Sequence, residues 1–306
     1  MEQKKKIKNK YGIFGGLESK IFYALLLIIP IMQFCVFYIG VNANSFLLAF
    51  QKTDLLTFEK SFTLEHFERL WLETFELTTM RKIVGNSILL WFISLIVSVP
   101  LALLFSFYIY KKSFGGGLFK VIIFLPSIIS SMVLVLIFKY FVEWGLPMIG
   151  VTTPSGEDFI TNINTRFGAI IFYNIWIGFG SSMLVYTGAM SQIDESVIEA
   201  AQLDGAGEFQ EFFYLTMPAV YPTISVFLVT SVATIFNNQA SLFNFYGPLC
   251  GTDYRTVGYH IFVSVSNGTV NDQAYSAAIG LVGTALIIPT TFLVRWALDK
   301  FGPSEV

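Results

Sequence analysis

Three consecutive amides, Asn237, Asn238 and Gln239, end an uncharged apolar run, and Trp176 stands inside another. Amide side chains both donate and accept hydrogen bonds, and an indole offers a flat apolar face. Together they suit a ligand that carries hydroxyl groups around a slightly apolar ring. The same residues also have a plainer use. Amides join helices by hydrogen bonds, and Trp anchors a helix at a bilayer surface. Catalytic constellations are missing from the sequence. It has no Gly-x4-Gly-Lys-Ser/Thr to cradle ATP phosphates and no His-Glu-x-x-His. Gly115-Gly-Gly117 stands before Lys120 in no phosphate-loop register. His66 and His260 are far apart, without metal-ligand spacing, and read as ordinary loop residues. Cys35 and Cys250 each sit in an uncharged stretch and read as small hydrophobes rather than disulfide or metal partners. No catalytic residue and no metal site is expected.

The elements that must hold these residues follow from the distribution of charge. Only 13% of the 306 residues are charged, roughly half the ordinary share of about 25%. The deficit is segmental: Ile21–Gln51, Ile83–Tyr110, Phe167–Ile193, Phe212–Thr252 and Gln273–Val294 contain no Asp, Glu, Lys or Arg. A spanning helix needs about 20 mainly apolar residues, so the chain reads as an all-α, multi-pass membrane protein. Six spans are expected, near 21–41, 84–110, 120–141, 167–189, 217–237 and 275–297, within one domain over 21–297. Lys139 is expected to snorkel to the interface from the third. The first run is too long for the core of a cleaved signal. Thr63–Trp71, with Leu64, Phe67, Leu70 and Trp71 at helical spacing, reads as an amphipathic interfacial helix.

Basic residues set the direction. Lys4, Lys5, Lys6, Lys8, Lys10 and Lys20 precede the first span, and Lys111, Lys112 and Lys120 occupy the second connection. The positive-inside rule then places the basic N-terminus (1–20), the tail (298–306) and the loop 190–216 in the cytoplasm. A net charge of −2 gives no case for a nucleic-acid partner. No charge is buried mid-span, which argues against a proton-coupled carrier.

The loop between the fourth and fifth spans holds Asp194, Glu195, Glu199, Asp204, Glu208 and Glu211 and no Lys or Arg. It reads as a helix–turn–helix. Ser191 or Ser196 caps the first helix, and Ala200, Ala201 and Leu203 favour it. Gly205 and Gly207 supply the turn. A second short helix carries Phe209, Phe212, Phe213 and Leu215, and Pro218 marks the start of the fifth span. Such a loop fits a partner's groove, or it simply connects two spans. The residues alone leave both readings open.

The spacing Glu199-Ala200-Ala201, Asp204-Gly205, Phe212, Leu215 and Pro218 resembles the signature of permease subunits of binding-protein-dependent ABC importers. Met217 takes the usual Leu position, and Glu211, Phe213 and Tyr214 stand where that family carries basic residues. The similarity is strongest to the upstream subunit of the maltose-type, carbohydrate-importing branch. Lys120–Ser127, Asn174-Ile-Trp-Ile-Gly178, Phe236-Asn-Asn238 and Ala274–Gly280 carry its softer matches. The resemblance implies the type I ABC importer permease architecture in a bacterial plasma membrane. It implies a non-catalytic subunit that forms half of a pathway for a sugar or oligosaccharide, with the loop 196–218 docking into an ATPase. It implies as partners a second, paralogous permease, a cytoplasmic ATPase dimer that binds the ATP and Mg, an extracytoplasmic binding protein, and membrane lipid. No cofactor is expected in this chain. Trp176, Ile177, Gly178, Phe236, Asn237 and Asn238 become the substrate-contact candidates, ahead of Asn174 and Gln239. Alternatives are a permease for glycerol phosphate, peptide or polyamine, or a membrane scaffold or sensor.

Overall fold

A computed structural model describes residues 17–303; most of the basic N-terminus and the last three residues of the tail lie outside the described residues. Among the described residues six helices are long and apolar enough to cross a membrane: Ile21–Ala49, Thr79–Tyr110, Ser131–Met148, Arg166–Met190, Glu208–Ala233 and Val270–Phe301. Helix lets a single uncharged segment cross lipid, because it satisfies backbone donors and acceptors within the segment.

The first of these is built from α1 (Leu17–Gln33), a π-helical stretch Phe34–Gly40 and α2 (Val41–Ala49). It leans on the rest of the bundle only near its end, where α2 meets the last helix. A two-stranded hairpin follows, β1 (Gln51–Thr53) with β2 (Lys60–Phe62), paired antiparallel with Gln51 opposite Phe62. The side chain of Asn271 clamps Thr53, accepting from its N–H and donating to its C=O, both at 2.9 Å. The amphipathic segment forms α3 (Glu65–Phe75). His66 is buried in it, with Nε2 2.9 Å from the carbonyl of Gln51, so it is a helix residue and not a loop residue.

α4 (Thr79–Tyr110) runs along α7 (Arg166–Met190), and this pair forms the centre of the bundle. Ala102, Leu103, Met183, Tyr186 and Met190 pack at one end with Phe212, Val220 and Ile224. Leu90, Ile170, Leu242, Cys250 and Tyr259 pack at the other. Ser106 Oγ donates across the pair to the carbonyl of Met183 at 2.9 Å.

The expected third span, 120–141, is not one helix. α5 (Gly116–Ile128) stops, Ile129 and Ser130 are extended, and α6 (Ser131–Tyr140) starts again before a π stretch, Phe141–Gly145, and the helical turn Leu146–Met148. Pro126 lies in the last turn of α5, where its ring lacks the N–H that would continue the ladder, and Ser127, Ser130 and Ser131 are weak helix formers. Lys139, near the end of α6, has its head group held by the chain itself. Its Nζ donates to the carbonyl of Phe245 at 3.1 Å, at the end of α10 (Leu242–Tyr246).

Beyond α7 come α8 (Glu195–Leu203) and α9 (Met217–Ala233), joined by a segment taken up below. The expected fifth span, 217–237, ends early: α9 stops at Ala233, and Asn237 and Asn238 lie on an irregular segment in which Ala240 and Ser241 have positive φ. After α10 come α11 (Val257–Asn267) and α12 (Val270–Phe301). His260 is therefore also helical, with its Nε2 buried.

Candidate functional site

The signature segment forms an arm beyond the bundle. Asp194 is the N-cap of α8, accepting from the N–H of Ser196 at 3.0 Å, so neither Ser191 nor Ser196 caps the helix. That hydrogen bond, with a second from the Ser196 hydroxyl, holds the Asp194 carboxyl below its ordinary range. At the other end the N–H of Ala206 reaches back to the carbonyl of Ala201 at 2.9 Å, and that of Gly205 to Gln202 at 3.0 Å. This is the closing pattern of a helix whose last position is left-handed, and Gly205 supplies it with φ of +84°. Gly207 is extended instead, and its N–H is held by the side chain of Gln210 at 3.0 Å.

The second half of the arm is not a separate helix. A turn at Glu208–Gln210 and a π stretch, Glu211–Thr216, run without a break into α9. The π stretch ends just before Pro218, whose nitrogen has no hydrogen to close an α-turn onto Tyr214. Widened turns are a common way for a helix to absorb such a defect.

The signature residues divide by environment. Phe212 is buried against Phe107, Leu215 and Pro218 are half-buried, and Ala201 is half-buried. Glu199, Ala200, Asp204 and Gly205 are exposed. So are the large side chains of Leu203, Phe209, Phe213 and Tyr214. Glu211 does not add to the exposed charge: its side chain is 2% exposed and ion-paired with Lys111 at 2.8 Å. The outward surface of the arm is thus acidic and aromatic, with no basic residue on α8 or the turn.

The substrate candidates fall into three surroundings. Trp176 and Ile177 are half-buried beside Phe138, Tyr173 and Phe245, with Gly178 exposed next to them. Phe236 faces α12, where a β-carbon on Gly283 would lie 3.3 Å from its ring, and it lines an apolar cavity of about 560 Å³ with Leu70, Trp71, Met80 and Leu286. Asn238 lines a cleft of about 160 Å³ between α4 and the end of α9, with Ser87, Trp91, Ser94, Ser231 and Thr256. Asn237 is exposed next to it. Asn174 is occupied in holding the chain, since its Nδ2 donates to the carbonyls of Ile170 at 2.8 Å and Ala240 at 3.1 Å.

The cleft beside Asn238 gathers hydroxyls, an amide and an aromatic, and most of its polar atoms are paired within the chain: Ser87 Oγ donates to the carbonyl of Ile83 and accepts from the N–H of Val257. Trp91 lines it and donates from Nε1 to Ser231 Oγ at 3.1 Å. Asn238 Oδ1 accepts from the N–H of Ala240 at 2.8 Å, and Thr256 Oγ1 donates to the Asn238 carbonyl at 2.9 Å. Among the described residues the Asn238 amide nitrogen has no partner. Gly258 seats α11 against this segment: a β-carbon there would meet the Asn237 carbonyl oxygen at 2.6 Å. Ser87, Trp91 and Ser94 stand at i, i+4 and i+7 on α4. That polar stripe on one face was the available sequence signal for the cleft.

Residues 72–304 match the family model described as the inner membrane component of binding-protein-dependent transport systems. The maltose/maltodextrin transport system permease protein MalF of Salmonella typhimurium is 28% identical over 128 residues, 40% of this chain and 25% of that protein. The multiple sugar-binding transport system permease protein MsmF of Streptococcus mutans is 24% identical over 224 residues, 72% of this chain and 76% of that protein. The matched region thus spans a quarter of the first relative and about three quarters of the second. A chain of the bacterial alginate ABC transporter, solved in complex with alginate pentasaccharide-bound periplasmic protein, superposes with a TM-score of 0.74 at 21% identity. The likeness covers 95% of this chain and 99% of that one, and establishes a shared fold.

Proposed function

The chain belongs to the family of inner membrane components of binding-protein-dependent transport systems, and on that premise we propose that it is one of two permease subunits of an ATP-driven sugar importer. It is a multi-pass protein of the bacterial plasma membrane. In this reading both termini and the arm are cytoplasmic, and the hairpin, α3 and α11 face outward. Hydrolysis, with its ATP and Mg, belongs to a separate ATPase dimer, and this subunit turns that cycle into alternating access.

One observation carries the reading. The arm keeps Ile198, Glu211 and Phe212 against its own bundle while exposing Leu203, Phe209 and Tyr214 at 77–89%. A connector made only to join two spans has no reason to expose such a patch, and an acidic, aromatic knob on a glycine turn fits a groove. The exposed first span supports a second permease as neighbour, because none of its 18-residue apolar core is buried within this chain. Sugar as cargo is supported by what the relatives are named for and by the hydroxyl- and amide-lined cleft. Asn237 and Asn238 are its contacts in this reading, and Trp176, Ile177, Gly178 and Phe236 stand apart from the cleft.

Tagged wild-type chain, purified from its own membranes, should bring down an ATPase and a second six-span permease. Deletion of the gene should abolish uptake of at least one sugar or oligosaccharide. Self-association alone, with normal uptake, would overturn the proposal.

A further inference from the structure

We propose that the Lys111–Glu211 ion pair is the strut through which the arm moves α4, and through α4 the wall of the polar cleft. The inference rests on the reading of the arm as an ATPase-docking element. Lys111 Nζ donates to both carboxylate oxygens of Glu211, at 3.0 and 2.8 Å. Gln202 Nε2 approaches the same carboxylate at 3.4 Å from α8. One carboxylate therefore joins the C-terminus of α4, the docking helix α8 and the π stretch that leads into α9.

The pair is poorly explained as a source of stability. Glu211 is 2% exposed and Lys111 21%, and desolvating two such charges consumes much of what their attraction returns. A directional link at a fixed place is what the pair provides that apolar packing does not. Phe212 against Phe107 holds the same two elements together, but without direction.

At its far end, α4 presents Ser87, Trp91 and Ser94 to the cleft. Ser94 and Lys111 lie seventeen positions apart in sequence, about 25 Å along a helix. The helix is continuous over that length, with Pro100 as its one proline. Below that proline Ala102, Leu103 and Ser106 seat it on α7. A pull on Lys111 therefore tilts the cytoplasmic half of α4 on α7, and Pro100 is where the outer half can change angle.

The test uses the assembled complex in nanodiscs, with Ser94→Cys as a reporter in a Cys35→Ser background, since Cys250 is buried. Maleimide labelling is timed with and without Mg-ATP plus vanadate. Trapping should change the labelling rate of the parent on the order of fivefold or more, the lower end of ordinary site-to-site coupling. Lys111→Met/Glu211→Leu should keep the ATPase bound but cut the change to less than about twofold, and Lys111→Glu/Glu211→Lys should restore it. Glu211→Gln, equal in shape, guards against misfolding of the apolar pair and should lose about half of the change. A full response in the apolar pair overturns the strut, as does a parent with ATPase bound and no response. A parent that retains no ATPase overturns the docking reading itself.

Discussion

Phe212 stands edge-on to Phe107 with ring centroids 5.0 Å apart, so the aromatic residue of the signature faces its own bundle. Its neighbours Phe213 and Tyr214 are 56% and 77% exposed. The two kinds of aromatic should fail differently. Phe212→Ala should cost about 3–5 kcal/mol of stability, as buried Phe truncations do, and lower both melting temperature and membrane level. Tyr214→Ala should leave both unchanged and weaken ATPase retention, by about 2 kcal/mol if it is an interface anchor. Thermal shift and pull-down on the same preparations separate the two. A destabilised Tyr214→Ala beside an unaffected Phe212→Ala would reverse the assignment.

Gly205 tests the turn. A β-carbon there meets nothing within 4 Å in this chain, but φ is +84°. The internal cost of Gly205→Val is therefore backbone strain, about 1–2 kcal/mol for a left-handed position, with any further loss arising at the docked partner. Membrane level should stay near wild type while ATPase retention and uptake fall together. Glu199→Lys, on the exposed face, should act the same way to a lesser degree. Full retention and full uptake in Gly205→Val would make the loop a connector.

The cleft gives a third prediction. Asn238→Ala and Trp91→Ala each remove a polar or stacking group from its lining, and should weaken uptake at limiting sugar by roughly three- to tenfold, the worth of one net hydrogen bond. Complex assembly and basal hydrolysis should be unchanged. Trp176→Ala should act through packing, because Trp176 rests on the cluster of Phe138, Tyr173 and Phe245. Its packing beside Phe138 and Tyr173, with ring centroids 6.3 Å from each, makes a fall in melting temperature the expected result. Normal uptake in Asn238→Ala and Trp91→Ala together would remove the cleft from the pathway.

What the sequence revealed depended on the kind of force at work. Uncharged runs and basic connections are properties of single segments, so the number of helices able to span and the signature loop were legible. The break at Ile129 was not, because Pro126 at the end of an apolar run is compatible with either a kink or a stop. The early end of α9 was hidden for a similar reason: Thr234-Ile-Phe carries no strong helix breaker, and the close packing of Gly258 on the amide segment is a contact between elements distant in sequence. Nothing local in sequence marks Glu211 as buried, because its partner, Lys111, lies 100 residues away. Trp91 was overlooked beside Trp176 because no amide flanks it in sequence; Asn238 reaches it only through the fold.

His260 supplies a pH prediction. It sits in α11 with Nε2 buried and, among the described residues, without a hydrogen-bond partner. Burial, helped by the positive charges of Arg255 and Arg69, lowers its pKa below 6.5, against the opposite pull of Glu73 and Asp272. The sign follows from linkage. Between the lowered folded value and 6.5 the unfolded chain binds a proton that the folded chain refuses, so stability is lost as pH falls through that window and is level above it. Melting temperature in detergent should be flat from about pH 8 to 7 and decline toward pH 5. His260→Leu replaces an unpartnered polar atom by an apolar side chain, so it should cost nothing at pH 7.5 and flatten the acid limb. Equal acid limbs in wild type and His260→Leu would place the proton uptake on another group.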